Sequence, residues 1–469
     1  MKATRAAPDP ETRGIGSGAA KSYQAMGSVV DQARAAGVAL VRVAYCDNAN
    51  LVRAKAVPLH ALDDVLRYGV GFTVAQQALP IMADTVLPAS GLAPVGEVWL
   101  VPDPATFTVL PYSPGCATLL GDFVTAAGTP WEHCPRACLR RAVAAAAADG
   151  LEIRAAYEPE FYLFRRAGAE YEPLDQTNFA MTAAHDLAHD LLRDLVETLD
   201  AMRLDVALVH PESGPGQFEL SIGHAPALAA ADRHVLLRDA VRGVALRHAA
   251  VASFAPKPIA GAAGSGCHLH VSLWRGDQNL LYDHGHPARL SRAASAWIAG
   301  VLAHLPGLCA LATPSVNSYA RLQPRAWAGA YACWGIDHRE AALRVITPRR
   351  GPSSLNLELK TVDGSANPYL ALAGVIAAGL DGLRRDLPCG APMEGDPAAL
   401  SDAERAARGV RALPRSLDEA VDALCDDAVL LDVLGAPLAQ SFVAVRRAES
   451  DALRDLPYDA QVRAHLLAY

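Results

Sequence analysis

No stretch of the 469 residues approaches the roughly 20 uninterrupted apolar positions of a membrane-spanning helix. The Ala-rich run Ala142–Ala148 reads as a strong helix former instead. The N-terminal residues, rich in Pro, Gly, Arg and Glu, lack the apolar core of a secretory signal, and through about Ala25 they read as a disordered tail. Cysteines number nine, odd and scattered; neither Cys134/Cys138 nor any other spacing forms a zinc ligand set or a disulfide framework. Buried thiols in a reducing cytoplasm are the expectation. Charged residues make up only 20% and the net charge is −8, so the chain lacks the positive excess that would attract nucleic acid or an anionic membrane, and neither is expected as a partner. There is no internal repeat.

The length suits two domains of unequal size. After the 1–25 tail, residues 26–128 alternate short strands and turns, with a strand from Val38, the polar turn Asp47–Asn50, a helix over His60–Tyr68 and strands at Val98 and Phe107, which predicts a small mixed domain. Pro135 near a helix start and Gly150 at its stop mark the entry to a second domain, 129–469. Strands are predicted over Ile153–Phe164, Asp205–His210, Gln217–Ile222 and His268–Leu273, and helices over Thr182–Met202, Leu228–Ser253 and Ser291–Leu305. The stretch from Pro314 to Leu355, rich in Arg, Pro and aromatics, reads as a long irregular segment with a functional role.

The chemistry gathers in Gly264-Ser-Gly-Cys-His-Leu-His-Val-Ser272, where alternation puts His268, His270 and Ser272 on one strand face. Glu158-Pro-Glu160, Gln217-Phe-Glu219-Leu-Ser221 and Asn356-Leu-Glu358-Leu-Lys360 carry the same alternation, each with a carboxylate where a buried sheet would want Val or Ile. Tyr157, Phe161 and Leu163 make the opposite face of the first strand apolar, so its glutamates face inward. Carboxylates and histidines on four buried strands imply a charged cavity whose carboxylates are held together by cations.

These segments occur in a recognisable order. Glu158-Pro-Glu160-Phe, Glu212-Ser-Gly-Pro-Gly-Gln-Phe-Glu219, Phe254-Ala-Pro-Lys-Pro258, the 264–270 run, Pro314-Ser-Val-Asn-Ser-Tyr319 with Arg321, and Ala366-Asn-Pro-Tyr-Leu370 together resemble the glutamine synthetase family. The resemblance implies an α+β fold: a small N-terminal β-grasp domain and a large catalytic domain whose curved antiparallel sheet is backed by helices. It implies ATP and two or more Mg²⁺ or Mn²⁺ ions, with Glu160, Glu212 and Glu219 holding one ion and Glu158, His268 and Glu358 the other. On the same ground, Ser272, Arg339 and Arg344 belong to the nucleotide and its phosphates, and Gly264, His270, Arg321 and Lys360 to glutamate. Asp47 is implied to reach the site of an adjacent subunit in a dodecamer-like homo-oligomeric ring.

Departures from the family pattern are specific. Pro324-Arg-Ala-Trp-Ala-Gly329 puts Trp327 where ammonia-using members carry a flap glutamate, Lys360 replaces an arginine, and Ala263 replaces an asparagine. The run Arg325–Tyr331 and Leu357-Glu-Leu-Lys resemble a divergent branch that contains fungal FluG and nodulin-like synthetase domains. The expectation is an ATP-dependent carboxylate–amine ligase that forms a γ-glutamyl amide from glutamate and an amine. Glutamine synthesis from ammonia and an inactive scaffolding homologue are the alternatives.

Overall fold

The structure, a computed structural model, describes residues 17–168, 170–286 and 289–469. A helix runs over Ser17–Ala35, so residues 17–25 are helical where a disordered tail was expected; residues 1–16 lie outside the described range. Its inward residues Val29, Val30 and Ala33 pack with Val41, Leu62 and Leu66, which gives the segment an apolar reason to be ordered.

The small domain is a six-stranded sheet built from β1 (Leu40–Cys46), β2 (Val52–Pro58), β3 (Val70–Thr73), β4 (Glu97–Pro102), β5 (Thr108–Val109) and β6 (Cys116–Val124). Its order is β2-β1-β6-β4-β3, with β1 and β6 parallel, and the helix Leu62–Tyr68 follows a tight turn at Leu59–Ala61. This is the β-grasp arrangement. The catalytic domain holds an eleven-stranded sheet around one long strand, β7 (Glu152–Ala167). On one side of β7 stand β10 (Gln217–Ile222) and the edge strand β9 (Val206–Pro211); on the other are β13 (Cys267–Arg275), β18 (Asn356–Leu359), β17 (Leu343–Ile346) and β16 (Trp334–Ile336). The short strands β8 (Glu170–Pro173), β11 (Ala225–Pro226), β12 (Ala250–Ser253) and β14 (Gln278–Asn279) complete it, and β15 (Tyr331–Ala332) pairs separately with β19 (Arg411–Ala412).

Several boundaries differ from the sequence reading. The helix expected to reach Ser253 stops at Arg247, because Ala249 turns left-handed at φ 54° and Val251 then joins a strand paired with β7. The helix expected over Thr182–Met202 breaks at Ala188 into two. The segment from Pro314 to Leu355 is not irregular throughout: it contains the helix Ser318–Arg321 and strands β15 to β17. Helix Arg292–Ala312 runs past its expected end and through Pro306, since its C-terminal half is packed in the core. That helix is long and apolar enough to cross a membrane by composition, but two-thirds of it is buried inside the protein.

Two charged hubs tie the layers together. Arg136, buried at the start of the helix Pro135–Ala148, donates to Asp232 in the catalytic domain and to Asp103 and Asp122 in the small one, at 2.8–2.9 Å. His304 joins three helical segments, with Nδ1 2.7 Å from Asp427 and Nε2 3.1 Å from Asp381. The hydrogen bond to Asp427 raises its pKa, burial opposes the rise and Asp381 adds to it.

Replacing Arg136 with Met leaves three aspartates facing one another around a buried position, and is expected to cost about 3–5 kcal/mol, seen as an earlier denaturant transition. An unchanged transition would show that the hub does not hold the domains together. For His304 the folded pKa lies above the ordinary value near ~6.5. Its contribution is therefore complete below about pH 6.5 and is lost as pH rises through the folded value. The His304→Gln variant should lack that alkaline loss in a Tm-against-pH series, and an identical series would contradict the pairing.

Candidate active site

Strand register explains how the charged residues meet. Glu158 and Glu160 flank Pro159 on β7, so both point to one face while Tyr157 and Phe161 fill the core on the other. Pro159 has no amide hydrogen to give the ladder; it stands where β7 passes from its β13 partner to its β10 partner. On the β13 side, Glu158 lies opposite His268, His270 opposite Glu358, and Glu358 opposite Arg344. On the β10 side, Glu160 lies opposite Glu219 and Glu219 opposite His210. Directly opposed side chains share a face, so one row of charge crosses six strands.

The row is closely packed. His268 Nδ1 is 3.3 Å from Glu358 and 3.6 Å from Glu158, and its Nε2 is 3.6 Å from Glu160. His270 pairs with Asn356 at 2.9 Å and Glu158 at 3.4 Å. Ser221 donates to Glu158 at 2.6 Å and Gln217 donates to Glu160 at 3.0 Å. Burial raises the Glu158 carboxyl, but hydrogen bonds from His268 and His270 outweigh it and hold the group well below its usual range. Burial acts the same way on Glu358, which Lys360 and the two histidines bring down to about 2. Glu219 has less relief: burial, then repulsion from Glu158, Glu160 and Glu212, outweighs the pull of Lys360 and pushes it up to about 10.

A buried carboxylate forced to keep its proton by three others is a donor set short of positive charge. Among the described residues, three triads bring ligand atoms within 4.8 Å of one another: Glu158, Glu219 and His268; Glu158, His270 and Glu358; His210, Glu212 and Glu219. Carboxylate oxygens with single imidazoles suit Mg²⁺ or Mn²⁺ better than a thiol-preferring metal, so the residues fit divalent ions. All six expected ligands lie along this row, and the triads cross between the two expected sets. Glu160 accepts from Gln217 on one oxygen and has His268 Nε2 3.6 Å from the other, while His210 stands 3.1 Å from Glu212. Sequence reasoning missed His210; its only signal was its place two residues before Glu212 on a strand.

Two cavities adjoin the row. One of about 420 Å³ is lined by Ser272, Arg154, Trp274, His270 and Asn356, with Ser272 accepting from the Trp274 indole at 2.8 Å. The second, about 530 Å³, is lined by Arg339, Arg344, Arg349 and Arg350, and shares Arg350 and Ser354 with the first. Arg344 also donates to Glu358 at 3.2 Å, which links the arginine cavity to the carboxylates.

Three expected site residues are placed otherwise. Asp47 does not point outward to a neighbour: it is fully enclosed in its own chain, holding Arg53 at 2.5 Å and the amide of Leu51 at 2.8 Å. The β1–β2 turn that carries it is locked against the catalytic domain through Asn367 and, at Asn50, Arg238. Lys360 is buried between Glu358 at 3.1 Å and His268 at 3.4 Å, where its charge lies against the carboxylate row. Arg321 is buried and donates to the carbonyls of Lys360 and Thr361 at 2.8 and 2.9 Å, which fixes the end of β18. A Cβ at Gly266 would lie 2.6 Å from His268 Nε2 and 2.8 Å from Arg321 Nη2, and one at Gly264 2.6 Å from Arg321 Cγ. Those two glycines admit the arginine beside the histidine.

Trp327 stands on the surface, 62% exposed, with its indole 5.8 Å from the Arg339 guanidinium. Its amide donates to Glu340 at 2.8 Å, and that of Arg325 to the same carboxylate at 3.2 Å. Glu340 is a second residue that sequence reasoning passed over.

A β-grasp domain joined to a curved antiparallel sheet, with a carboxylate–histidine row opening into an arginine-lined cavity, defines an ATP-dependent carbon–nitrogen ligase. Residues 132–465 match the model for the glutamine synthetase catalytic domain, and residues 24–131 that for the glutamine synthetase N-terminal domain. The chain belongs to the glutamine synthetase family. It is 41% identical over 448 residues to gamma-glutamylpolyamine synthetase GlnA3 of Streptomyces coelicolor, covering 92% of this chain and 94% of that one. It is 34% identical to the glutamine synthetase of Halobacterium salinarum over 90% of this chain and 92% of the relative. Among solved structures, a novel glutamine synthase homolog superposes with TM-score 0.82 at 35% identity, over 92% of this chain and 99% of the other. A GmaS/ADP complex gives 0.81 at 30% identity, over 93% and 98%.

Excess Mg²⁺ or Mn²⁺ is expected to raise the Tm; at about 100 times Kd each bound ion stabilises by about 2.7 kcal/mol. The shift should shrink in Glu358→Ala and in Glu219→Gln. A full-sized shift in both variants would show that the ions bind elsewhere.

Proposed function

We propose that this ligase joins the γ-carboxylate of glutamate to an organic amine of the di- or polyamine class through an acyl phosphate. The observation that carries the reading is Trp327: an exposed indole, at the position that the family resemblance gives to a flap glutamate in ammonia-using members. Ammonium must be attracted and then lose a proton before it attacks, tasks for a carboxylate that an indole cannot perform. An indole instead offers apolar area and a face that attracts cations by roughly 0.5–2 kcal/mol. Each methylene buried against it adds about 0.8 kcal/mol, so two or three carbons outweigh the missing charge contact. The relative named gamma-glutamylpolyamine synthetase supports the same amine class.

In this reading a γ-carboxylate oxygen of glutamate attacks the terminal phosphorus of ATP, the bond to ADP breaks, and γ-glutamyl phosphate forms. The neutral amine nitrogen then attacks the acyl carbon, phosphate leaves, and the nitrogen gives up a proton. Arg339 and Arg344 line the cavity where phosphate charge would be met, because a guanidinium fork binds two oxygens at once. Ser272 and Trp274 form part of the adjoining wall for the nucleotide. Glu158, His268 and Glu358 would hold one divalent ion, and Glu160, Glu212 and Glu219, with His210 beside them, a second. When bound, the ions neutralise the ATP phosphates and orient the terminal one.

A homo-oligomeric ring belongs to the same reading. The edge strand β9 exposes Leu208, and the neighbouring segment exposes Phe179, Met181 and Leu187, an apolar margin suited to a second copy.

Phosphate release measured in competition, at fixed glutamate, should give an organic amine a kcat/KM at least about tenfold above ammonia, or about 1.4 kcal/mol. The Trp327→Glu variant should move the preference toward ammonia. A clear preference for ammonia, unchanged in that variant, would overturn the reading in favour of glutamine synthesis.

A further inference from the structure

The flap is held in a conformation that its own sequence does not favour. Arg325 and Trp327 both adopt left-handed backbone, at φ 59° and 60°, although neither is glycine or asparagine. Side chains at such positions crowd the backbone, so two within three residues persist only where surrounding contacts fix them. The contacts are specific. Glu340 takes the Trp327 amide on one carboxylate oxygen and the Arg325 amide on the other. Arg325 is tied further by its guanidinium to Asp396 at 2.8 Å. Gly329 ends the flap at φ 72° against Ala342, where a Cβ would come within 2.6 Å of the Ala342 Cα.

Glu340 is itself anchored. His338 Nδ1 accepts the amides of Glu340 and Ala341 at 3.2 and 3.1 Å, which requires that nitrogen to be unprotonated. Its Nε2 then carries the hydrogen and donates to the Gly395 carbonyl at 3.0 Å. The turn is thereby a rigid base, and the next residue back, Arg339, places its guanidinium over the Trp327 ring. The result is an indole displayed on a braced loop beside Arg339, which lines the arginine cavity, and not one packed into the protein.

We propose that Glu340 is a positioning residue for amine selection: by clamping the Arg325 and Trp327 amides it fixes the face that the indole presents to the incoming amine. The inference rests on the reading above that Trp327 meets an organic amine. Releasing the clamp lets both residues return to right-handed or extended backbone, and the indole then samples many orientations. Amine capture weakens while the carboxylate row and the adjoining His270 wall, built on the sheet, stay as they are. Glu340→Gln keeps one acceptor oxygen for the two amides and should fall between the parent and Glu340→Ala.

The test uses the full chain with spermidine as the amine probe. Emission from Trp327, isolated from the other five of the six tryptophans by difference against Trp327→Phe, is followed during acrylamide quenching. In Glu340→Ala the spermidine KM should rise about fivefold or more and the quenching of Trp327 should change, while the KM for glutamate stays within about twofold. Glu340→Gln should show a smaller change in both readouts. Unchanged quenching, or a glutamate KM rising together with that of spermidine, would overturn the proposal. The parent enzyme alone decides the amine class: a preference for ammonia there refutes the proposed function, and the quenching result still decides whether Glu340 fixes the flap.

Discussion

Repulsion among buried carboxylates on one face of the large sheet is the constraint on which the rest of the catalytic domain depends. Glu158, Glu160, Glu219 and Glu358 occupy positions that a sheet of this depth normally gives to aliphatic side chains. Each must be matched by a cation or a donor within a few ångströms; the antiparallel register sets His268, His270, His210 and Arg344 directly opposite carboxylates, while Glu160, set opposite Glu219, takes Gln217. A slip of one residue in β13 would send both histidines into the apolar core and leave Glu158 and Glu358 without them. Lys360 belongs to the same balance: a buried ammonium between Glu358 and His268 is a structural counter-charge first.

The opposite face makes this tolerable. Tyr157, Phe161, Leu163, Phe218 and Leu269 fill a continuous core against the helices, so the sheet is held by apolar burial while its other face is left for chemistry. The small domain is bound to that scaffold by charge. Arg136 gathers aspartates from both domains, and the enclosed turn at Asp47–Asn50 meets Asn367 and Arg238. The active-site face is therefore supported from behind by packing and from the side by a domain that cannot drift.

Against this rigid sheet, the flap takes its geometry from hydrogen bonds to a loop. Strands place ligands to within tenths of an ångström but offer only the two faces of a pleat; a braced loop can aim a side chain elsewhere.

The sequence by itself determined the two-domain α+β plan and the charged strand faces, because period-two alternation of Glu, His and Ser with Tyr, Phe and Leu has one reading in a buried sheet. It determined the family as well, since six separated motifs in order are a strong constraint. It did not determine which carboxylates group together, because grouping depends on register and side-chain reach across strands that are distant in sequence. Glu160 turns to Gln217 and His210 enters the row for that reason. Asp47 and Glu340 show the same limit from opposite sides. Both sit on turns where a carboxylate is ordinarily a solvated charge. Only the tertiary structure encloses the first against its own chain and brings the second within 2.8 Å of the Trp327 amide, because long-range packing and not local pattern decides where a turn faces.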